Sequence, residues 1–311
     1  MIQEIPYAGW KHNVRIQGKT TELVITLDVG PRIIRYAFHE DKNVFCEFPE
    51  QAGGTGEKDW MIRGGHRFWT APEGDHSYET DNGPVTWKKL GESAVEIIQP
   101  AGQAFGFQKT MRVELLEHEI VRVTHLLTNT TGQALDVSPW VLDVMAPGGV
   151  ALIPQPKLDL HPSEFPEGRS AKTENFWPNR ELILWPFTDI TDGRYAYSEN
   201  FLRLTYLPEL PATKLGLKLP TGWVAYQNGD VVFAKHFAYD PALPYPDRGS
   251  NFEIFTNHRF LELESLAPAL PLAPGKTAGH IEHFVLKKTT ADLRGEKAAV
   301  KFFSELPKIS A

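Results

Sequence analysis

The sequence predicts an all-β protein: a large antiparallel β-sandwich with a short C-terminal helix, built as a single domain over residues 1–311. Three observations carry that expectation. Twenty-five glycines and 24 prolines in 311 residues exceed the usual share of turn-formers, which favours many short elements joined by tight turns. β-Branched and aromatic runs of four to eight residues recur along the chain, bounded by turn chemistry. Helical periodicity is scarce.

The strands follow in order. Leu23-Val24-Ile25-Thr26-Leu27 is apolar and β-branched, Asp28-Val29-Gly30-Pro31 interrupts it, and Ile33 to Phe38 resumes. Phe107 to Val113 alternates, and Ile120 to Leu126 follows it. Asn129-Thr130-Thr131-Gly132 then separates Leu135 to Leu142. Trp223–Tyr226 and Val231–Phe237 flank Gln227-Asn228-Gly229-Asp230, an Asn-Gly hairpin signal. Phe252–Thr256, Phe260–Leu266 and His280–Leu286 complete the set. Between Pro154 and Pro220 prolines are frequent, and Trp177, Trp185 and Tyr195 stand among polar residues. That stretch predicts long loops and irregular strands that pack or line a cleft. At the C-terminus Thr290 is placed to cap a helix carrying Ala299, Phe302, Phe303 and Leu306 at spacings of three and four.

Composition excludes several function classes. A hydrophobic share of 41% and a charged share of 23% are those of an ordinary soluble globular chain. The net charge of −7 gives no basic field for nucleic acid. One cysteine, Cys46, permits neither an internal disulfide nor a cysteine-based zinc cluster. The first residues lack the basic-then-apolar pattern of a signal peptide, and no run approaches ~18 apolar residues, so neither secretion nor membrane partners are expected. The expectation is a cytoplasmic monomer or homodimer.

Three segments bear on chemistry. Trp60 to Glu73 packs Arg63, Gly64-Gly65, His66, Arg67, Trp69 and Glu73 into a short stretch. Indole faces suit the apolar faces of a sugar ring, and Arg or His can bond its hydroxyls or a phosphate, while Gly-Gly permits close backbone approach. The competing reading is a buried aromatic turn with both arginines paired to acids. Glu73 to Gly83 is acidic, but it does not follow a calcium-loop spacing and reads as an exposed loop. In Phe260 to Leu266, Glu262 and Glu264 point to one face, ~6.6 Å apart, and Leu261 and Leu263 to the other. Two like charges on a covered face raise the pKa of at least one, as a general base or acid requires. In His280-Ile281-Glu282-His283, strand alternation turns His283 away from His280 and Glu282, so no metal is assigned. A nucleophile elbow, a phosphate-binding loop and a dinucleotide fingerprint are absent.

Together these segments resemble the galactose mutarotase-like superfamily of aldose 1-epimerases and related sugar-binding proteins. The likeness is carried by Leu27-Asp28-Val29-Gly30-Pro31-Arg32-Ile33-Ile34 and by Ile62-Arg63-Gly64-Gly65 with Trp69 and Pro72. Leu127-Thr128-Asn129-Thr130 adds to it, as does Glu262 to Pro268 followed by Leu272-Ala273-Pro274-Gly275-Lys276. The Arg-Gly-Gly piece is similar to the glucose-6-phosphate 1-epimerase branch, and Gly-Gly-His-Arg-x-Trp-x-Ala-Pro-Glu to a bacterial branch. The resemblance implies a supersandwich with an open sugar-binding face and no cofactor. It implies a glutamate that deprotonates the anomeric hydroxyl while a histidine protonates the ring oxygen, followed by ring opening and reclosure. By pattern Glu264 takes the base position, leaving Glu262, Arg63, Arg67, Trp69 and Glu73 to contact the sugar or sugar phosphate. The family's His-x-Tyr-Phe pattern is missing, with Trp140-Val141-Leu142-Asp143 in that region, and His66 is the substitute acid on chemical grounds. A carbohydrate-binding protein without turnover is the alternative. A glycoside hydrolase or lyase subunit is a third reading, weakened because no second catalytic domain is visible.

Overall fold

The computed structural model describes residues 1–157, 161–164 and 177–309. Among the described residues the strands form two ten-stranded sheets with antiparallel pairing throughout, packed as a β-sandwich. The first sheet runs in spatial order Ile2–Tyr7, Trp10–Gln17, Thr21–Thr26, Arg32–Phe38, Gly65–Ala71, Ser138–Met145, Leu261–Leu266, Phe252–Thr256, Thr213–Leu217 and Leu182–Leu184. The second runs Tyr195–Tyr197, Phe201–Thr205, Val150–Pro154, Trp223–Asn228, Val231–Phe237, Thr277–Lys288, Val121–Asn129, Phe107–Leu115, Ala94–Ile98 and Thr86–Lys89.

The β-branched runs seen in the sequence all become strands, because alternation puts one set of apolar side chains between the sheets. Ile33, Tyr36, Val141 and Leu263 of the first sheet meet Met111, Val123, Phe233 and Phe284 of the second in one buried cluster. Tyr36 packs edge-on to Phe233 at 6.3 Å between centroids. The hairpin expected near Asn228 closes with Asn228 opposite Val231 and Gly229 at φ +64°, a conformation glycine adopts without strain.

Two expectations need correction. Leu135 does not begin a strand; it makes an isolated bridge to Leu272, and the ladder starts at Ser138. Thr290 does not cap the C-terminal helix. A turn at Asp292–Arg294 intervenes, and the helix runs Glu296–Ser304 with Gly295 at its N-terminal boundary. Ala299 and Phe302, with Leu306 just past the helix, pack on Val232, Ala234 and Val285, so this segment covers the outer face of the second sheet. The outer face of the first sheet stays open as a cleft. Of the proline-rich stretch, the described part supplies Leu182–Leu184, Tyr195–Tyr197, Phe201–Thr205 and Thr213–Leu217. The prediction for its positions 158–160 and 165–176 lies outside the described residues. Among the described residues no helix is long and apolar enough to cross a membrane.

The Gly64-Gly65 pair explains how the chain enters the Gly65–Ala71 strand. Both glycines have φ +75°, and a Cβ would lie 2.0 Å from the Cys46 carbonyl oxygen at Gly64 and 2.4 Å from that of Ile33 at Gly65. Backbone occupies the space a side chain would need. Gly65→Ala is therefore expected to lower stability by ~2 kcal/mol or more, read as a lower urea midpoint. An unchanged midpoint would mean that the Ile33 backbone can yield.

Candidate functional site

Five neighbouring strands of the first sheet turn alternate residues toward the open face. From Gly65–Ala71 come Arg67 and Trp69, and from Ser138–Met145 come Trp140 and Leu142. Leu261–Leu266 contributes Glu262 and Glu264, Phe252–Thr256 contributes Glu253 and Phe255, and Thr213–Leu217 contributes Lys214. The pairing sets them in rows across the sheet. Arg67 lies opposite Leu142, Leu142 opposite Glu264, and Glu264 opposite Glu253; one row over, Glu262 is opposite Phe255 and Phe255 opposite Lys214. Loops add Trp60, Trp185 and Arg259 as walls, and a short 3-10 helix, Asp75–Tyr78, adds Tyr78. The result is a cleft of about 440 Å³ with aromatic sides and a charged floor. A hollow of about 230 Å³ beside Gly148 and Asp292 has no aromatic side chain in its lining.

The floor is ordered by ion pairs. Lys214 Nζ lies 2.7 Å from Glu253 Oε2 and 3.1 Å from Glu264 Oε2. Trp140 Nε1 donates to the same Glu264 oxygen at 3.0 Å. Arg67 Nη2 donates to Glu262 Oε1 at 2.7 Å. Each cation also lies over indole rings: Arg67 is 4.3 Å from the centroid of Trp69 and 4.9 Å from that of Trp60, and Lys214 is 4.7 Å from Trp140 and 4.9 Å from Trp185. Burial, reinforced by Glu262 and opposed by Lys214, pushes the Glu264 carboxyl up to about 7. Burial raises Glu253 to about 8, with Lys214 opposing and Glu264 adding to it. Burial works against the Lys214 charge, but the two glutamates outweigh it and hold the ammonium protonated above its ordinary range.

Of the residues singled out in the sequence, Glu264, Glu262, Arg67, Trp69 and Glu73 line this cleft, and Glu73 accepts a hydrogen bond from the Tyr78 hydroxyl. Arg63 and His66 do not. Arg63 is buried beside the cleft in a loop clamp: its Nη1 donates to the Gln51 and Gly54 carbonyls, and its Nη2 bonds Glu57 and Asn82. The acid paired with it is Glu57. His66 is one residue from Arg67, and strand alternation sends it to the opposite face, between the sheets. The expectation that Arg63 and His66 border one cleft with Glu264 is corrected on that ground.

The fold of this β-sandwich has known counterparts. A galactose mutarotase-like protein from Lactobacillus casei superposes with a TM-score of 0.54 at 12% identity, over 88% of this chain and 100% of that one. The chain has the galactose mutarotase-like fold. A galactose mutarotase related enzyme from Lactobacillus acidophilus gives 0.56 at 10% identity, over 90% and 99%. A galactose mutarotase-like protein from Clostridium acetobutylicum gives 0.54 at 10%, over 93% and 99%. No family profile matches the sequence, and no curated protein matches it.

On this mutarotase-like scaffold, His66 belongs to a polar network inside the sandwich. Its Nδ1 faces Asp143 Oδ1 at 2.8 Å and its Nε2 faces His125 Nε2 at 2.8 Å. His125 Nδ1 bonds the His280 carbonyl oxygen at 3.1 Å, which must accept, so His125 Nε2 is free to accept as well. His66 thus bridges Asp143 and His125 across the interior of the sandwich. Lys235 Nζ completes the set, at 2.8 Å from Asp143, 2.8 Å from Glu282 and 3.0 Å from the Leu263 carbonyl oxygen. One buried ammonium is thus shared by two buried carboxylates. His66, His125 and Glu282 are close enough to share a metal ion, but the Lys235 ammonium already lies 2.8 Å from Glu282 and opposes a second cation there.

Lys214, Glu253 and Trp140 are not identified as site residues from the sequence, whereas Trp60 and Trp185 stand in segments expected to face a sugar or a cleft. The available signal was Thr213-Lys214-Leu215-Gly216-Leu217, a lysine on the non-apolar phase of an alternating run.

Proposed function

We propose that the cleft binds the pyranose ring of an aldose against its indole walls and interconverts its anomers by cofactor-free general acid–base catalysis, with Glu264 as base. The observation that carries this is Glu264 itself: a buried carboxyl at the cleft floor, with one oxygen held by Trp140 and Lys214 and its pKa raised toward neutrality. Such a carboxylate can take a hydroxyl proton and return it. Glu262, fixed by Arg67, is suited to accept hydrogen bonds from sugar hydroxyls. Neighbours named as galactose mutarotase-like support a sugar as ligand, although a shared fold alone does not assign a reaction. A free sugar fits better than a sugar phosphate. Arg63 is committed to its loop, and both cleft arginines, Arg67 and Arg259, are paired with Glu262 and Glu50.

The second reading is a carbohydrate-binding protein without turnover, favoured by the absence of a histidine from the cleft lining. Saturation-transfer NMR with D-galactose, D-glucose and their 6-phosphates separates the two. Binding with anomer exchange above the uncatalysed rate supports the first, and binding without exchange supports the second. No binding of any of the four sugars rejects both.

A further inference from the structure

Ring opening of an aldose needs two proton transfers, one from the anomeric hydroxyl and one to the ring oxygen. With His66 on the far face of the sheet, the cleft offers Lys214 instead. Its Nζ sits beside Glu264 Oε2, is fixed from behind by Glu253, and is sealed between the faces of Trp140 and Trp185. We infer that Lys214 is the general acid of this site and works with Glu264 as a single bifunctional pair. The inference rests on the anomer-exchange reading above.

The geometry suits the reaction. The anomeric oxygen and the ring oxygen are bonded to the same carbon, so an acid and a base acting together on them must be neighbours. Lys214 Nζ and Glu264 Oε2 are 3.1 Å apart, and the second Glu264 oxygen is not taken by either Trp140 or Lys214. In opening, Glu264 removes the proton of the anomeric hydroxyl, C1=O forms, the bond from C1 to the ring oxygen breaks, and Lys214 protonates the departing oxygen. Glu264 then holds one extra proton and Lys214 lacks one. After rotation about C1–C2, the reverse transfers close the ring on the other face of C1: Lys214 takes the proton of the attacking hydroxyl, Glu264 returns its proton to the new anomeric oxygen, and ammonium and carboxylate are restored. No oxidant, metal or co-substrate enters the balance. Glu253 acts by keeping Nζ in place.

The acidity of Lys214 can be tested without removing its charge. Arginine preserves the cation but does not give up a proton at any working pH. The unmodified protein, Lys214→Arg and Lys214→Met are compared for anomer exchange of D-galactose and D-glucose by NMR, for binding by calorimetry, and for urea unfolding. The expected result is exchange reduced ~10²-fold or more in both variants, with binding by Lys214→Arg within a few-fold of the unmodified protein. Lys214→Met covers the case in which the larger guanidinium does not fit, shown by a lowered urea midpoint. Exchange at the unmodified rate in either variant overturns the assignment to Lys214 and leaves the anomer-exchange reading standing. Binding lost in parallel with exchange in a folded Lys214→Arg protein also overturns it, making Lys214 a sugar-holding residue. Absence of exchange in the unmodified protein overturns both readings together.

Discussion

Glu264→Gln should leave sugar binding within a few-fold and cut anomer exchange by ~10²-fold or more, the usual scale for loss of a general base. Glutamine keeps the shape and can still accept from Trp140 Nε1, but its amide cannot take the anomeric proton. The same assignment fixes a pH dependence. The base must be ionised, and burial raises its pKa to about 7, so exchange in the unmodified protein should climb as the pH rises through 7 and then level off. Glu262→Gln should act differently. It weakens the pair with Arg67 and should reduce binding more than turnover. NMR exchange and calorimetry on both variants decide the matter: full exchange in Glu264→Gln removes it as the base.

The second large effect is expected inside the sandwich. Lys235→Met leaves Asp143 and Glu282 without their buried ammonium, and breaking a buried pair in this way costs about 3–5 kcal/mol. The urea midpoint should fall accordingly, and adding Glu282→Gln should recover part of the loss, because it removes the unbalanced charge. Equal midpoints for Lys235→Met and the unmodified protein would show that the network carries no net stability. The surrounding histidines give a further sign. Burial lowers the pKa of His280 to about 4 and that of His125 well below 6.5, so the folded state refuses protons that the unfolded chain accepts. Stability should therefore decline as the pH falls from about 6.5 toward 4.

The two networks also show how far the sequence could be read. Runs such as Leu23 to Leu27 and Phe252–Thr256 declare themselves because one phase of the alternation is apolar and must be buried. Glu262 and Glu264 were legible for the same reason, since Leu261 and Leu263 fix the opposite phase. Gly65–Ala71 was not legible as a strand. Its inward face mixes His66 with Phe68 and its outward face mixes Arg67 with Trp69, so neither phase is plainly core. With no phase to follow, His66 could not be separated from Arg67. Lys214 was hidden differently. Its importance comes from lying beside Glu253 and Glu264, and sheet pairing between distant segments leaves no mark in local composition.

That pairing has a kinetic consequence. The strands that carry Arg67, Trp140, Lys214, Glu253 and Glu264 are adjacent in the sheet but not in the chain: Trp140 and Glu264 are 124 residues apart, and Arg67 and Glu262 are 195 apart. No contiguous half of the polypeptide contains the cleft floor. Each of these contacts must close a long loop before it returns any free energy, so topologies of this kind fold slowly. The cleft comes into being only as the first sheet closes around its central strands. Ligand binding during refolding would therefore report completion of the whole sheet, and a nascent chain would acquire the site only after Leu261–Leu266 had joined.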